Sequence, residues 1–514
     1  MIHAFPCPPR AATPPADAKT PSTPTPGATL GLEMEMVVAR RGSGLSHPVV
    51  RYFDTLAGLK RGRDATARLA EQGGRDIAVL GEHGVSGVDN GFNLLETSFA
   101  PVAGQAGGLD RLARQVWLEL ADARAALAAE DAVLLNASEH PACTLDAEWY
   151  RRVRAPRPIY DELVDHRGWL HRVGIDAKAQ NSPCTSVPAA LACRALNVTL
   201  GLAPAAIALF ANSPLQAGRE TGLKENRLTM WDRMFRHARY AGDHYLQQLP
   251  PQPFEDLGDH FRWMFGPATA SRALPAAPSQ DYKRAAPLYL RGAPCLARFL
   301  AAPRWSARDG ATGRESSLVP EAAHFIYSQF AHFLDARWRY RLDAPLDLRE
   351  LREMWDRPGG LEILFERLGA QGYIEGRAPG AVFPDRQLAD EAGADIARSA
   401  PLAPSALQLG LLRNLAQAEA LMRDWGWHRL RALRQIAIRD ALADDAVHAL
   451  ARDVVQVAHD GLEPGDRPWL AYASHCVATR STGADRMLRL WRSGGDSAAR
   501  LGLLARWRAL DIPS

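Results

Sequence analysis

Apolar and acidic residues alternate along the first strongly patterned segment of the chain, residues 30–38. Its sequence, LGLEMEMVV, sets Glu33 and Glu35 among methionines, with leucine and valine on either side. An alternation of period two predicts a β-strand in which both glutamates point to the same face. A solvent-exposed strand would show the same pattern. In an otherwise apolar strand, however, two neighbouring carboxylates repel each other unless a cation neutralises them.

The segments that follow predict a sheet covered by a helix. The pattern indicates a helix over residues 48–72 and a short strand over 76–80. After a glycine-rich turn at 84–91, residues 92–98 form the second arm of a predicted hairpin. Apolar residues at helical spacing over 109–129 predict a helix that packs on this sheet.

Residues 173–180 alternate as well, which predicts a third strand with one polar face. The side chains on that face are Asp176, Lys178 and Gln180. The next segment, 187–211, is rich in alanine, leucine, isoleucine and valine. We expect it to form a buried helical hairpin that is broken near Gly201 and Pro204, since glycine and proline interrupt helices.

The chain is predicted to have three parts. Residues 1–28 contain eight prolines between Pro6 and Pro26, and such a segment buries too little apolar surface to offset its ordering entropy, so we expect a disordered tail. Residues 29–400 form one domain that carries the strands. Residues 401–514 form a helical region packed on that domain, as the helical pattern from about residue 403 indicates.

The acidic residues of the strands predict a metal site. We expect Glu33, Glu35 and Glu96 to come together, with Asp89 at the start of the hairpin arm and Asp176 nearby. Carboxylate oxygens without sulfur or imidazole ligands favour hard cations such as Mg²⁺ or Mn²⁺. These cations bridge nucleotide phosphates and neutralise charge during phosphoryl transfer.

The positive charge that a phosphate site needs would come from Lys178, Lys224 and Arg227. The sequence contains neither a GxxxxGK[ST] loop nor a GxGxxG turn that opens a helix, so metal ions and arginines would have to hold a nucleotide. The alternative is a structural role: an isolated arginine such as Arg227 most often forms a surface ion pair, and Glu96 alone is typical of an exposed strand.

Composition excludes several other classes. The 514 residues carry 61 Lys and Arg against 58 Asp and Glu, a formal charge of +3, which argues against a dedicated nucleic-acid binder. No apolar run approaches the roughly 20 residues of a membrane span. Six cysteines without a CxxC pair predict neither a zinc site nor a disulfide framework, and we expect a cytoplasmic location.

Several motifs resemble those of the glutamate–cysteine ligases, in the branch found in plants and many proteobacteria. The strand with Gly31, Glu33 and Glu35 resembles the G-x-E-x-E strand of that family, and residues 91–101 resemble its second acidic strand. The most specific match is ALFANSP at 208–214. The residues that continue this match are Gly218, Gly222, Arg227 and Trp231. The segments 405–412, 451–462 and 483–491 are also similar, so that the resemblance covers most of residues 29–492.

The resemblance implies an α+β fold with a curved, mainly antiparallel sheet of the glutamine-synthetase type, backed by helices and followed by a helical C-terminal part. It implies a ligase whose catalytic domain is 29–400 and which uses ATP and Mg²⁺ (or Mn²⁺) to join the γ-carboxylate of L-glutamate to the amine of L-cysteine. Under this resemblance Glu33, Glu35 and Glu96 are metal ligands, and the residue pattern adds Asp89 to them. The resemblance makes Arg227 catalytic, and we add Lys178 from the polar face of the third strand. Substrates and ATP are expected to contact Asn212, Ser213, Arg227, Trp231 and Arg377, which lie on motifs that resemble the family's, together with Gln180 of the third strand.

The sequence departs from the family on the third strand, where relatives carry Thr, Gln and Asn and this chain carries Asp176, Lys178 and Gln180. Three hypotheses therefore stay open. The protein is a glutamate–cysteine ligase of thiol biosynthesis, a γ-glutamyl ligase with another amine acceptor, or a paralogue that binds or regulates without catalysis. Small-molecule substrates and a monomer or homodimer are expected in the first two cases, with no nucleic acid or membrane partner.

Overall fold

The computed structural model describes residues 28–271, 273–275, 285–328 and 333–512 of the chain. Apart from Ala28, the predicted disordered tail lies outside the described residues. The proposed division at residue 400 stays a prediction.

Strands numbered in chain order build one large sheet and two small ones. They are β1 (Thr29–Arg40), β2 (Arg68–Gln72), β3 (Arg75–Gly81), β4 (Gly84–Val88), β5 (Leu94–Phe99), β6 (Val102–Ala103), β7 (Ala132–Leu135), β8 (Asn181–Val187), β9 (Leu215–Gln216), β10 (Arg219–Glu220), β11 (Leu274–Pro275), β12 (Pro287–Leu290), β13 (Trp305–Asp309), β14 (Glu315–Leu318), β15 (Ala336–Arg341) and β16 (Gln371–Gly376). The large sheet has ten strands, all paired antiparallel, in the order β15-β16-β8-β1-β5-β4-β3-β2, with β6 and β7 also on β1.

Helices cover this sheet and form most of the chain after β16. They are α1 (Tyr52–Arg61), α2 (Gly108–Ala128), α3 (Ala147–Val153), α4 (Pro158–Asp161), α5 (Ala189–Gly201), α6 (Ala203–Leu209), α7 (Met230–Phe235), α8 (Leu257–Phe265), α9 (Leu296–Ala301), α10 (Ala322–Tyr327), α11 (Leu348–Trp355), α12 (Gly360–Arg367), α13 (Arg386–Ala392), α14 (Ala394–Ser399), α15 (Ala403–Arg413), α16 (Leu415–Trp425), α17 (Trp427–Asp440), α18 (Asp445–Gly461), α19 (Ala471–Thr479), α20 (Gly483–Ser493) and α21 (Ser497–Trp507). The predicted α+β class, with a mainly antiparallel sheet and a helical C-terminal part, is confirmed.

Strand β1 lies in the middle of the sheet and is buried on both faces. Its apolar side chains, among them Leu32, Met34 and Met36, join the main core together with the apolar face of α2. Each such side chain contributes about 1.5–3 kcal/mol when fully buried. The burial explains why the strand persists although its other face carries two carboxylates.

The elements predicted from periodicity are confirmed where apolar burial sets the pattern. Strands β1, β3 and β5, helix α2, the hairpin of α5 and α6, and the helical C-terminal part all form. The predicted helix over 48–72 is wrong in its second half, where β2 forms instead. Helix α1 ends at Arg61, and Asp64 then accepts hydrogen bonds from the backbone and hydroxyl groups of Thr66, which fixes a turn. The glycine-rich stretch predicted as a turn contains β4.

The predicted strand over 173–180 is also wrong. Gly174 adopts φ +114°, which no strand accommodates, and the preceding residues form a short 3₁₀ turn. Only single bridges form here, from Lys178 to Glu139 and from Gln180 to Gly380, and the true strand β8 begins at Asn181. The polar residues Asp176, Lys178 and Gln180 are buried as deeply as the apolar residues between them, so the alternation does not mark an exposed strand face.

The segment after α21 returns to the centre of the molecule. The Leu510 amide donates to the Leu134 carbonyl of β7. The Arg508 guanidinium donates to the Asn136 carbonyl at 2.6 Å and to Asn212 Oδ1 at 2.5 Å. Residues near the C-terminal end of the described chain therefore contact β7, which pairs with β1, and the ALFANSP segment.

Within the described ranges no single helix combines the length and apolar character of a membrane span. Helices α5 and α6 meet that test only when taken together, and they are bent by 49° with respect to each other.

Helices α15 and α18 approach at backbone distance, which generates a stability prediction. A Cβ added to Gly410 would lie 2.1 Å from the Ala458 carbonyl oxygen. We expect Gly410→Ala to lower the free energy of unfolding by about 1–3 kcal/mol because the helices must separate. Urea denaturation measures the change. As a control, Gly58→Ala in α1, where nothing lies within 4 Å of an added Cβ, should stabilise by about 0.5–1 kcal/mol. Equal midpoints for Gly410→Ala and wild type would contradict the packing described here.

Candidate metal and anion site

One face of the large sheet collects ionisable side chains because directly paired residues of antiparallel strands share a face. Glu35 of β1 pairs with Glu96 of β5, and Glu33 pairs with Ser98 on one side and Ser182 on the other. The same face continues through β8 and β16 to β15, where Glu375 pairs with Arg337. The two predicted acidic strands therefore lie next to each other, as the sequence indicates.

Three carboxylates on this face form a compact group that we call the acidic cluster: Glu35, Asp89 and Glu96. Each offers an oxygen within 4.8 Å of the oxygens of the other two, and all three residues are buried. Asp89 reaches the group because it directly follows β4, which pairs with β5. A set of carboxylate oxygens at this spacing fits a hard divalent cation such as Mg²⁺ or Mn²⁺. Glu33, the fourth predicted ligand, lies outside this group.

Lys178 enters the acidic cluster from the loop before β8. Its Nζ lies 2.7 Å from Glu35 Oε2 and 3.5 Å from Asp89 Oδ2, and the side chain is only 1% exposed. Burial raises the pKa of Glu35 to about 7, even though the Lys178 ammonium acts to lower it. The lysine therefore compensates only part of the cost of burying these acids.

Arg157 and Tyr160 hold the backbone at Asp89. The Arg157 guanidinium donates to the Val88 carbonyl at 2.7 Å, and both side chains donate to the Asp89 carbonyl. Arg157 is buried and adds a second positive charge beside the cluster. Sequence reasoning missed it, since an arginine in an Arg-Pro turn shows no periodic signal.

Three arginines surround Glu375 at the far end of the same face, and we call them the arginine cluster: Arg337, Arg339 and Arg377. Arg337 Nε and Arg377 Nη1 each lie 2.8 Å from a Glu375 oxygen, and Arg339 Nη1 lies at 3.6 Å. Burial alone would raise the pKa of Glu375, but the three guanidinium groups outweigh it and hold the pKa below its usual range. Three cations against this one carboxylate leave two formal positive charges.

Glu33 lies between the two clusters. Burial raises its pKa, and the charges of Glu375 and Glu96 raise it further, while Arg337 and Arg339 act in the opposite direction. Of the arginine cluster, only Arg377 was predicted from the sequence. The pattern ARWRYR at 336–341 is a signal for the others, because its arginines alternate with aromatic residues and so share a strand face.

Arg227 lies in a separate, fully bonded setting. Its guanidinium donates to Glu225 Oε1 at 2.7 Å, to Gln180 Oε1 at 3.0 Å and to the Ala378 carbonyl at 2.8 Å. The structure thus brings the predicted residues Arg227 and Gln180 together and ties both to the segment after β16.

The ALFANSP motif holds Arg227 through hydrogen bonds to Glu225 and to the Arg227 backbone. Glu225 Oε2 accepts from the Asn212 amide at 2.8 Å and from the Ser213 hydroxyl at 3.0 Å, and Ser213 Oγ in turn accepts from the Arg227 amide. Trp231 stacks on Phe333 in the core, with ring centroids 4.4 Å apart. Contacts of these residues with substrate stay predictions.

Two predicted contributors lie elsewhere. Asp176 accepts from Asn93 Nδ2 at 3.1 Å and from Trp149 Nε1 at 3.0 Å, away from the acidic cluster. Lys224 pairs with Asp485 at the start of α20. The expectation for Asp176 depended on the predicted strand over 173–180, and the expectation for Lys224 depended on its proximity to Arg227 in sequence. In the structure both side chains have other partners.

Glu139 generates a prediction of pH dependence. This residue forms the bridge to Lys178, is buried, and accepts from Gln216 and Asn226. Burial raises its pKa to about 7, above the unfolded value of about 4.3. Its stabilising contribution is thus complete below about pH 4 and is lost as the pH rises through about 7.

We expect the free energy of unfolding of wild type to fall between pH 5 and pH 8 by about 2–3 kcal/mol more than that of Glu139→Gln. Chemical denaturation at both pH values measures the difference. The exposed substitution Glu82→Gln is the control and should follow wild type. If Glu139→Gln showed the wild-type pH dependence, Glu139 would not be the titrating group.

Sequence comparison finds that part of the chain is similar to a known family. Residues 29–265 match the sequence model described as glutamate-cysteine ligase family 2. A Nocardia farcinica protein, provisionally named glutamate–cysteine ligase 2-2, is 26% identical over 266 residues. This match covers 48% of the present chain and 59% of the relative, so the chain spans little more than half of that protein's length.

Solved structures with a similar outline include a Francisella tularensis glutamate–cysteine ligase in complex with AMP. Its TM-score is 0.47 at 10% identity, covering 95% of this chain and 90% of that one. A bifunctional glutathione synthetase from Pasteurella multocida gives a TM-score of 0.46 at 11% identity, covering 93% and 51% of the two chains.

The family match contains β1, β5 and the loop with Lys178, and therefore the whole acidic cluster, whereas the strands of the arginine cluster lie beyond it. Across residues 29–265 the match to glutamate-cysteine ligase family 2 confirms the resemblance predicted from the motifs.

Proposed function

We propose that the protein is an ATP-dependent ligase that joins the γ-carboxylate of L-glutamate to the amine of L-cysteine. The observation that carries this proposal is the pairing of two opposite charge clusters on one sheet face. The acidic cluster offers three carboxylates within 4.8 Å, and the arginine cluster offers three guanidinium groups around one glutamate. The family match over 29–265 supports the reaction type.

The chemistry explains why both clusters are needed. A carboxylate is a poor electrophile, so the γ-carboxylate oxygen first attacks the γ-phosphorus of ATP, which releases ADP and forms an acyl phosphate. The amine then attacks the acyl carbon, loses a proton and displaces inorganic phosphate. Phosphoryl transfer of this kind depends on neutralising the charge of the phosphate oxygens rather than on covalent help from the protein.

Each cluster supplies a part of that neutralisation. Glu35, Asp89 and Glu96 would hold a divalent cation, Mg²⁺ or Mn²⁺, which would supply positive charge to neutralise the transferring phosphate. Arg337, Arg339 and Arg377 present guanidinium groups, which suit carboxylate and phosphate oxygens through paired N–H donors.

Three predicted residues lie next to the two clusters. Arg227 donates to Gln180 and to the backbone carbonyls of Arg377 and Ala378, so we assign it a positioning role for Arg377 beside the predicted catalytic one. Lys178 reaches the metal ligands directly.

A second candidate is a γ-glutamyl ligase with an acceptor other than cysteine. It is favoured by Lys178, because a lysine inside the acidic cluster departs from the Thr, Gln and Asn pattern of the resembling family and alters the charge that substrates meet. The cytoplasmic location, the absence of nucleic acid and membrane partners, and a monomeric or dimeric state stay predictions from the sequence.

Phosphate release from ATP with L-glutamate and a panel of amines tests the proposal. We expect turnover that depends strongly on L-cysteine. Turnover with another amine alone would establish the second candidate. Tight ATP binding without turnover on any amine would overturn both and favour a binding or regulatory role.

Substitution of one ligand tests the role of the acidic cluster. We expect Glu96→Gln to lower kcat by about 100-fold or more at saturating Mg²⁺, because a neutral amide binds a hard cation poorly and the phosphoryl charge loses its counter-ion. The initial rate of phosphate release and the urea unfolding midpoint are measured together, with the exposed Glu82→Gln as control. A rate near that of wild type would remove the acidic cluster from the mechanism.

A further inference from the structure

Lys178 lies where a divalent cation would have to bind. Its ammonium group contacts Glu35 Oε2 at 2.7 Å and Asp89 Oδ2 at 3.5 Å, and these are two of the three carboxylates of the acidic cluster. A divalent cation bound by all three would lie about 2.1 Å from each oxygen. The cation and the ammonium group would therefore share the same two ligands at close range.

The formal charges around the acidic cluster also indicate that a divalent cation and Lys178 compete. Three carboxylates face Lys178 and Arg157, which leaves one formal negative charge for the buried group. Adding a divalent cation makes the group positive by one, inside a region with little solvent to screen it. The polyanionic phosphates of a nucleotide would restore the balance.

We propose that Lys178 is a built-in counter-cation that competes with divalent metal for the acidic cluster, so that metal binds tightly only together with a nucleotide. That a divalent cation binds at the acidic cluster rests on the proposed function. The competition for Glu35 and Asp89 follows from the contacts of Lys178 itself. In the absence of nucleotide the Lys178 ammonium group stays paired with Glu35 and Asp89. With nucleotide present, the negative charge of its phosphates would offset the charge that the cation adds to the group.

Metal titration without nucleotide tests the competition directly. Mn²⁺ binding to the full chain is followed by electron paramagnetic resonance of the free ion, for wild type and for Lys178→Met. We expect at least tenfold tighter Mn²⁺ binding by Lys178→Met, because the competing charge is gone. Addition of a non-hydrolysable ATP analogue should tighten binding to wild type by a larger factor than binding to Lys178→Met.

Matched variants separate charge from structure. Lys60 lies on the opposite sheet face with the same geometry, its Nζ 2.7 Å from Glu119 Oε2, so Lys60→Met makes the same substitution away from the cluster and should bind Mn²⁺ as wild type does. Lys178→Arg keeps the charge and should not gain affinity. If Lys178→Met fails to fold, Lys178→Gln keeps a hydrogen-bond donor near Glu35 and serves the same purpose.

Unchanged or weaker Mn²⁺ affinity in the folded neutral variant would overturn the inference. The outcome is independent of ligation, since the titration contains no glutamate or amine. If Lys178→Met binds Mn²⁺ more tightly but the wild-type protein ligates no amine to glutamate, the proposed function alone is refuted. If the protein ligates its substrates but wild type and Lys178→Met bind Mn²⁺ equally well, the inference alone is refuted.

Discussion

The structure depends on the burial of like charges along β1. Glu33 and Glu35 lie on one face of the central strand, and both are almost completely removed from water. A buried carboxylate is costly unless a cation or hydrogen-bond donor faces it. Every element that meets this face therefore has to bring positive charge or a polar contact. The apolar side chains on the other face supply the burial energy that keeps the strand in place.

Different parts of the chain meet that requirement in different ways. The loop before β8 brings a lysine, and the turn after α3 brings Arg157. Strand β15 brings Arg337 and Arg339, and Arg377 directly follows β16. The sheet order places the last two strands on the far side of β8, so a negative region and a positive region adjoin across the sheet. Under the proposed function, this separation of charge suits the face to a reaction that involves both phosphate and carboxylate groups.

The sequence was informative where the pattern of burial is local. β1 with Glu33 and Glu35 was predictable from alternation alone, and Glu96 from a hairpin signal. Arg337 and Arg339 were missed because their place beside Glu33 depends on pairing across β16 and β8, which no local pattern encodes. Lys178 was predicted to lie on a strand, but it lies on a loop and still contacts Glu35 and Asp89. Asn212 and Ser213 were predicted to contact substrate, and their bonds to Glu225 became visible only in three dimensions.

The contact between Arg508 and Asn212 has a consequence for the synthesis and folding of the chain. The two residues are separated by 296 positions in sequence, and a further bond joins Arg508 to the neighbour of β7. Joining residues so far apart in sequence costs loop-closure entropy, and such non-local contacts are typical of slowly folding chains. During synthesis β1 and its acids emerge long before β15 and β16, which carry or adjoin the arginine cluster. Until those strands are made, a nascent chain carries Glu33 without the arginines that face it in the folded protein.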